Sequence, residues 1–266
     1  MDENQLKNVE KKIEEFFLSE NLKPNDKLNY ALRYLAKYRS MQLGNTIIQH
    51  YGTKVFDGPF KNMEFLSSVS EGCFIPKLLG NYESELHDYI KSLVIKKPDI
   101  IINVGSAEGY YAVGLKRLLP DTKVFAFDID KNAQDKCKEL SQINNVEVII
   151  EGEFKPEILN EFKNSDVSLM CDIEGEEINL VTEDNLNLFQ NTEVCMELHY
   201  NYEGKHNMDI IPNFFKLSHE TDLIWQKGKD FQVPDLVSKI SHLDILLSAW
   251  EFRSYPTPWL IAKPLH

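Results

Sequence analysis

The stretch IIINVGSAEGYY, Ile100 to Tyr111, decides how the rest of the chain is read. Three isoleucines run into a polar residue, a valine and a glycine; a second glycine follows four residues later, and two tyrosines come next. An apolar run of this length, stopped by glycine, reads as a strand buried on both faces. The glycines mark a tight turn into a helix. Downstream, short runs rich in Val and Ile alternate with amphipathic segments. The runs predict strands at 99–104, 123–128, 146–150, 167–172, 193–199, 221–226 and 258–263. Helices are expected near 109–119, 131–141, 155–163, 176–188, 206–217 and 235–249. Such alternation makes βαβ units, a parallel sheet and a doubly wound α/β fold with helices on both faces.

Upstream of Asp99 the texture differs, and residues 1–98 read as a helical N-terminal extension to a domain at 99–266. Val9, Ile13, Phe16 and Phe17 recur at helical spacing, as do Leu28, Leu32, Leu35 and Tyr38. Pro24 and Asn25-Asp26 suit the start of the second helix, and Pro98 ends a further helix at 82–94. Residues 60–80 show no regular pattern. The extension is expected to cover a cleft or to build a homo-oligomer contact.

Composition narrows the function classes. The chain has 266 residues, 42% of them hydrophobic, enough for a substantial core. A net charge of −13 argues against nucleic acid, whose phosphates call for a basic surface. Cys73, Cys137, Cys171 and Cys195 lie far apart with no CxxC spacing, which suits reduced thiols in a cytoplasmic protein rather than a disulfide scaffold or a zinc cluster. MDENQLKNVEKK is too charged for a signal peptide, and no apolar run approaches a membrane span.

Open α/β sheets bind ligands outside the carboxyl ends of their strands, so the glycine turn is the place to look. Against a dinucleotide GxGxxG, Gly105 fills the first position, but Ala107 and Tyr110 fill the second and third. The pattern present is GxxxG, Gly105 to Gly109. Asp128, in KVFAFDID, ends the next strand at a distance that suits the ribose of a nucleoside-bearing cofactor. The alternative is a tight connection with no ligand, or a nicotinamide or flavin site.

The run IIINVGSAEGYYAVGLKRLLPDTKVFAFDID resembles the first motif and second strand of class I S-adenosylmethionine-dependent methyltransferases. LMCDIEGEEINLV, 169–181, resembles the D-x-E-G-x-E stretch of their FkbM-like branch. The resemblance spans roughly 99–200. It implies a Rossmann-like sheet of seven strands, the last antiparallel and inserted beside the fifth. It implies that Gly105, Ser106, Ala107 and Gly109 approach the methionine part of S-adenosylmethionine, that Asp128 holds the ribose, and that Ile129 flanks the adenine. Glu153 would lie by the adenine amino group, and Asp172 would face the transferred methyl. The chain departs from the family in carrying Asn103 where many members have an acid, and Ala107 where many have glycine.

A sulfonium methyl is already electrophilic, so a methyltransferase mainly aligns the acceptor. A hydroxyl acceptor must also lose a proton, to a base or with metal assistance. Asp172 and Glu174 share one side of their strand end, and Glu197 and His199 one side of the next. Asp172 and His199 are the catalytic candidates. Asp172, Glu174, Glu197 and His199 are the candidates for binding Mg²⁺. Glu176 and Glu177 read as helix-opening carboxylates that offset the helix dipole, with Glu174 as a cap. His87, Glu83 and Glu85 read as a solvated helix face, and Arg253 and Trp259 as edge-strand packing. An acidic cleft repels polyanions and points to O-methylation of a small-molecule or glycan hydroxyl. The rival readings are a noncatalytic cofactor sensor, a nicotinamide-dependent oxidoreductase and a protein methyltransferase.

Overall fold

A computed structural model describes residues 3–67, 73–200, 204–230, 235 and 239–265. Seven strands form one sheet: β1 (Ile100–Val104), β2 (Lys123–Phe127), β3 (Ile149–Glu151), β4 (Val167–Cys171), β5 (Thr192–Glu197), β6 (His219–Ile224) and β7 (Trp259–Pro264). Their order is β3-β2-β1-β4-β5-β7-β6, with β7 antiparallel between β5 and β6. This is the seven-stranded, mostly parallel Rossmann-like arrangement. In register, Ile102 lies beside Phe125 and Leu169, so the polar Asn103 comes level with Ala126 and Met170.

Alternation explains why every residue of β1 is buried. Ile101 packs into a core with Tyr110, Val113, Met170, Cys195 and Trp259. Ile100, Ile102 and Val104 pack on the opposite face with Leu169, Val194, Phe189 and Phe215. Each such side chain contributes about 1.5–3 kcal/mol by leaving water. The first face is covered by α5 (Tyr110–Leu118) and α6 (Lys131–Ile143), the latter capped by Asp130, whose side chain accepts from the Asn132 amide. The same core takes in Val55, Phe60, Met63 and Phe65, and also Leu78, Leu86 and Leu93 from α3 (Phe74–Leu79) and the region of α4 (His87–Lys96).

Several expected elements come out shorter. The helix expected at 155–163 is a 3-10 turn, Pro156–Phe162. That at 176–188 reduces to α7 (Glu177–Leu180) and a 3-10 turn, Leu186–Phe189. That at 206–217 becomes a 3-10 turn and α8 (Ile211–Phe215). Of 235–249, His242–Ser248 is helical, while 236–238 lie outside the described residues. These segments bury single residues such as Leu159, Phe189 and Phe215 on the second face, and one or two turns suffice for that.

The first two helices, α1 (Glu3–Leu18) and α2 (Pro24–Tyr51), exist as expected, but the buried face of α2 differs. Leu28, Leu32 and Leu35 are exposed, while Ala31, Ser40, Leu43, Gly44 and Ile47 are buried. The far half of α2 meets the core, and its Arg39 forks onto Asp244 with two bonds of 2.7 Å. Arg33 donates to the carbonyls of Phe252 and Arg253. That contact fixes a segment which proves central to the site.

Candidate active site

The glycine turn is held by its own backbone. The amides of Gly105 and Ser106 both donate to the Phe127 carbonyl, at 2.9 and 3.0 Å. Asp128 accepts from the Ala107 amide at 2.8 Å and from the Asp130 amide at 2.9 Å, so the acid after β2 ties both loops together. Gly105 has φ +73°, and a Cβ there would lie 1.7 Å from the Asp172 carbonyl oxygen. At Gly109, φ is +87° and a Cβ would lie 2.5 Å from the Cys137 sulfur. Chain crossing alone therefore demands both glycines. The sign of a ligand lies elsewhere. Asn103 Oδ1 and Ser106 Oγ are buried and have no hydrogen-bond partner among the described residues, although buried polar groups normally find one. Both line a cavity beside Gly105 and Asp172. Residues of this kind fit a polar ligand lying against the turn.

On the other side of the turn, Ile129 is 84% exposed beside Asp128, an open apolar surface at the strand end. Glu153 is exposed on the loop after β3, with its carboxylate 3.8 Å from the Lys155 ammonium.

Beyond the strand ends opens a cleft of about 580 Å³. Asp172, Lys77 and Tyr82 line both this cleft and the turn cavity, so the two spaces meet at Asp172. Asp172 follows β4, its amide bonded to the Val104 carbonyl. His199 follows β5. Its Nε2 lies 3.8 Å from Asp172, 3.6 Å from Glu174 and 3.7 Å from Glu197. Its Nδ1 pairs with Glu177 at 2.9 Å. The expected convergence of Asp172, Glu174, Glu197 and His199 is present.

Glu177 opens α7, as expected, and it is fully buried. Besides His199 it accepts from Asn207 Nδ2 at 2.6 Å and from the Gly175 amide at 3.1 Å. Burial opposes its charge, but the His199 bond and these donors hold its carboxyl below the usual range. Burial likewise opposes a charged His199, yet Glu177 and the neighbouring Asp172 and Glu174 push it up to about 9. The ring is thus displaced upward from the ordinary histidine value near 6.5, which favours its cationic form at neutral pH. Glu174 is not the cap, since Glu176 holds that position; it stands exposed at φ +56°, its carboxylate 3.6 Å from His199 Nε2.

The far wall corrects the reading of Glu83 and Arg253. Arg253 bonds Glu83 at 2.6 Å, Glu251 at 3.2 Å and Thr257 at 2.6 Å, and also pairs with Glu197. Glu83 is 1% exposed rather than on a solvated helix face, and it accepts from the Tyr111 hydroxyl. His87 and Glu85 are half-buried. Lys229 pairs with Glu251 and donates to the Asn81 carbonyl. Burial pushes the Glu251 carboxyl up to about 7 despite Lys229. Burial also pushes the Cys73 thiol, which lines the cleft, up to about 12, which disfavours its thiolate.

This wiring bears on the Mg²⁺ expectation. Asp172, Glu174 and His199 present ligand atoms within 4.8 Å of one another, as do Glu83, Asp172 and Glu197. Arg253 already sits on Glu83 and Glu197, and His199 carries a proton that a ligating ring must give up. Side-chain cations meet the charge of these carboxylates, so the set does not fit a resident Mg²⁺ as arranged.

No protein-family model matches the sequence, and no curated protein matches it either. Among solved structures, the chain is similar to the bifunctional kinase-methyltransferase WbdD, at 15% identity and a TM-score of 0.48, covering 83% of this chain and 47% of that one. It is similar to a precorrin-6y C5,15-methyltransferase from Geobacter metallireducens GS-15, at 12% identity and a TM-score of 0.43, covering 67% and 88%. An rRNA methylase from Streptococcus thermophilus follows at 14% identity and 0.42, covering 68% and 96%. What the site can do is read from its own residues.

Proposed function

We propose that this protein is an S-adenosylmethionine-dependent methyltransferase that methylates a hydroxyl of a small-molecule or glycan acceptor. The observation that carries the reading is the shared wall: a cavity at the glycine turn and a polar cleft meet at one carboxylate, Asp172. Asn103, Gly105, Ser106 and Asp128 would hold the cofactor, with Ile129 offering apolar surface beside the ribose-binding acid. The bound cofactor supplies a sulfonium methyl that an oxygen nucleophile can accept without covalent help from the protein.

The chain's own task is to place that oxygen and take its proton. At neutral pH a ring with a pKa of about 9 is free of its proton in roughly one molecule in a hundred. Asp172 therefore serves as the base, and His199, held by Glu177, as the cation that steadies it. On this reading the Asp172 carboxylate would take the hydroxyl proton of an acceptor whose oxygen receives the methyl that the bound cofactor would supply. Glu83, Glu251, Arg253 and Thr257 give the cleft hydrogen-bonding groups of both kinds, which suits neutral hydroxylated acceptors. The reduced thiols and the acidic surface agree with a cytoplasmic enzyme.

The test is transfer of isotopically labelled methyl from S-adenosylmethionine to a panel of sugars, glycosides and alcohols. Label in an acceptor ether, lost in Asp172→Asn, supports the reading. Label in amines alone, or the same turnover in Asp172→Asn, overturns the hydroxyl chemistry.

A further inference from the structure

The far wall of the cleft is an irregular stretch of chain. Between the His242–Ser248 helix and β7, residues 251–257 form neither helix nor strand, yet they bring Glu251, Arg253 and Thr257 to the cleft. A peptide without a regular partner samples many conformations, so contacts from outside must fix its path. Phe252 sharpens that need. Its φ is +59°, a left-handed conformation that a bulky side chain rarely adopts and that persists only where the surroundings impose it.

The contacts that impose it come from the other end of the chain. Three consecutive carbonyls are each met by a side chain from the residues before β1. The Cys73 thiol donates to the Glu251 carbonyl at 2.9 Å. Arg33 of α2 donates from one guanidinium nitrogen to the Phe252 carbonyl at 2.5 Å, and from another to the Arg253 carbonyl at 3.0 Å. The same guanidinium lies 5.5 Å from the centroid of the Trp250 ring, which is itself 4.3 Å from the Phe252 ring. A planar fork can meet two carbonyls and a ring face together, which a compact ammonium cannot. The helix that carries the fork is anchored in turn, by Leu43 and Ile47 in the core and by Arg39 on the buried Asp244.

On the cleft side, the backbone so turned sends the Arg253 side chain to Glu83 and Thr257, each at 2.6 Å. Arg33 itself lines neither the cleft nor the cavity at the turn. We infer that Arg33 is a positioning residue for the acceptor: it holds the Phe252–Arg253 backbone so that Arg253 and Thr257 stand where an acceptor's polar groups meet them. The inference rests on the reading of this cleft as the acceptor site. It gives α2 a part in the reaction that its place outside the sheet does not suggest. Asp172 and the glycine turn are set by β4, β1 and β2, so loss of Arg33 should fall on acceptor binding and spare both the chemical step and the cofactor.

The experiment uses the full chain with Arg33→Met, which keeps a long apolar stem without the fork, and Arg33→Lys, which keeps the charge. The probes are those sugars, glycosides and alcohols that the wild type methylates with labelled S-adenosylmethionine. Arg33→Met is expected to raise the acceptor KM about fivefold or more, with kcat and S-adenosylhomocysteine affinity within about twofold, the pattern of lost uniform binding. Arg33→Lys should raise KM less, since one carbonyl can still be met. A second readout needs no acceptor. Cys73 is half-buried while Cys137, Cys171 and Cys195 are buried, so its alkylation by iodoacetamide, followed by peptide mass spectrometry, reports on the same backbone. That rate should rise about threefold or more in Arg33→Met as the wall loosens. An unchanged KM, an unchanged Cys73 rate, or a loss of kcat and cofactor affinity along with KM would overturn the inference and leave the methyl-transfer reading standing. A wild type that methylates nothing in the panel would overturn that reading, and the inference with it.

Discussion

The glycine turn and the acidic cleft lie on either side of Asp172 and are built on opposite principles. The turn is fixed by backbone: Phe127's carbonyl, the Asp128 carboxylate and the close crossing over Asp172 leave its path little freedom. Its parts come from within a few dozen residues, and its unmet groups are neutral. The cleft is fixed by side chains from distant segments, and more than half of the residues that line it are charged. Arg253 joins Glu83 across 170 positions, and Glu177 joins His199 across 22. The path of the turn is set by how the chain crosses itself. The cleft's state depends on how its charges are shared, so substitutions there are expected to act through charge and those in the turn through geometry.

The largest effect is expected at Arg253. Arg253→Leu leaves Glu83 and Glu197 buried without their cation, and removing one partner of such a network costs about 3–5 kcal/mol. Chemical denaturation checks this, and a loss below about 1 kcal/mol would mean that the network is not structural. Asp172→Asn comes next: acceptor methylation should fall at least 100-fold while S-adenosylhomocysteine affinity stays within a few-fold. Parallel loss of binding would move Asp172 from the reaction to the cofactor pocket.

Glu177→Gln sharpens the contrast through pH. His199 is raised in the folded state from an ordinary value near 6.5 to about 9. Its contribution to stability is therefore fully present below about pH 6.5 and is lost as pH rises through about 9. That contribution is on the order of 2–3 kcal/mol. Melting temperature measured between pH 6 and 10 should decline in the wild type and decline less in Glu177→Gln, which brings His199 back towards its ordinary range. Identical profiles would show that Glu177 does not hold the proton on His199. The smallest effect is in the turn. Ala107 sits at φ +46°, where glycine is unstrained, so Ala107→Gly should stabilise the protein by up to about 1 kcal/mol.

The same contrast explains what could be read from sequence. β1 was legible because its apolar run is continuous and the sheet buries both faces; the turn and Asp128 followed from local spacing. The short helices after β3, β4 and β5 were not, because their length is set by the single side chains they bury, such as Leu159 and Phe215. Asp172 and His199 could be placed by strand ends alone. The burial of Glu177 could not: its place at a helix start was legible, but only the approach of His199 and Asn207 makes it a buried partner. Arg253, Glu83 and Trp259 carried no local signal, since their neighbours come from the other end of the chain. The exposed Leu28, Leu32 and Leu35 show the converse, helical periodicity without burial.

The central claim is that the turn holds a nucleoside-bearing sulfur cofactor. Calorimetric titration of the wild type and Asp128→Asn with S-adenosylhomocysteine and NAD tests it most directly. The account predicts binding of S-adenosylhomocysteine, weakened about tenfold or more by Asp128→Asn, and no binding of NAD. Binding of NAD instead, or an affinity for S-adenosylhomocysteine that Asp128→Asn leaves untouched, would contradict it.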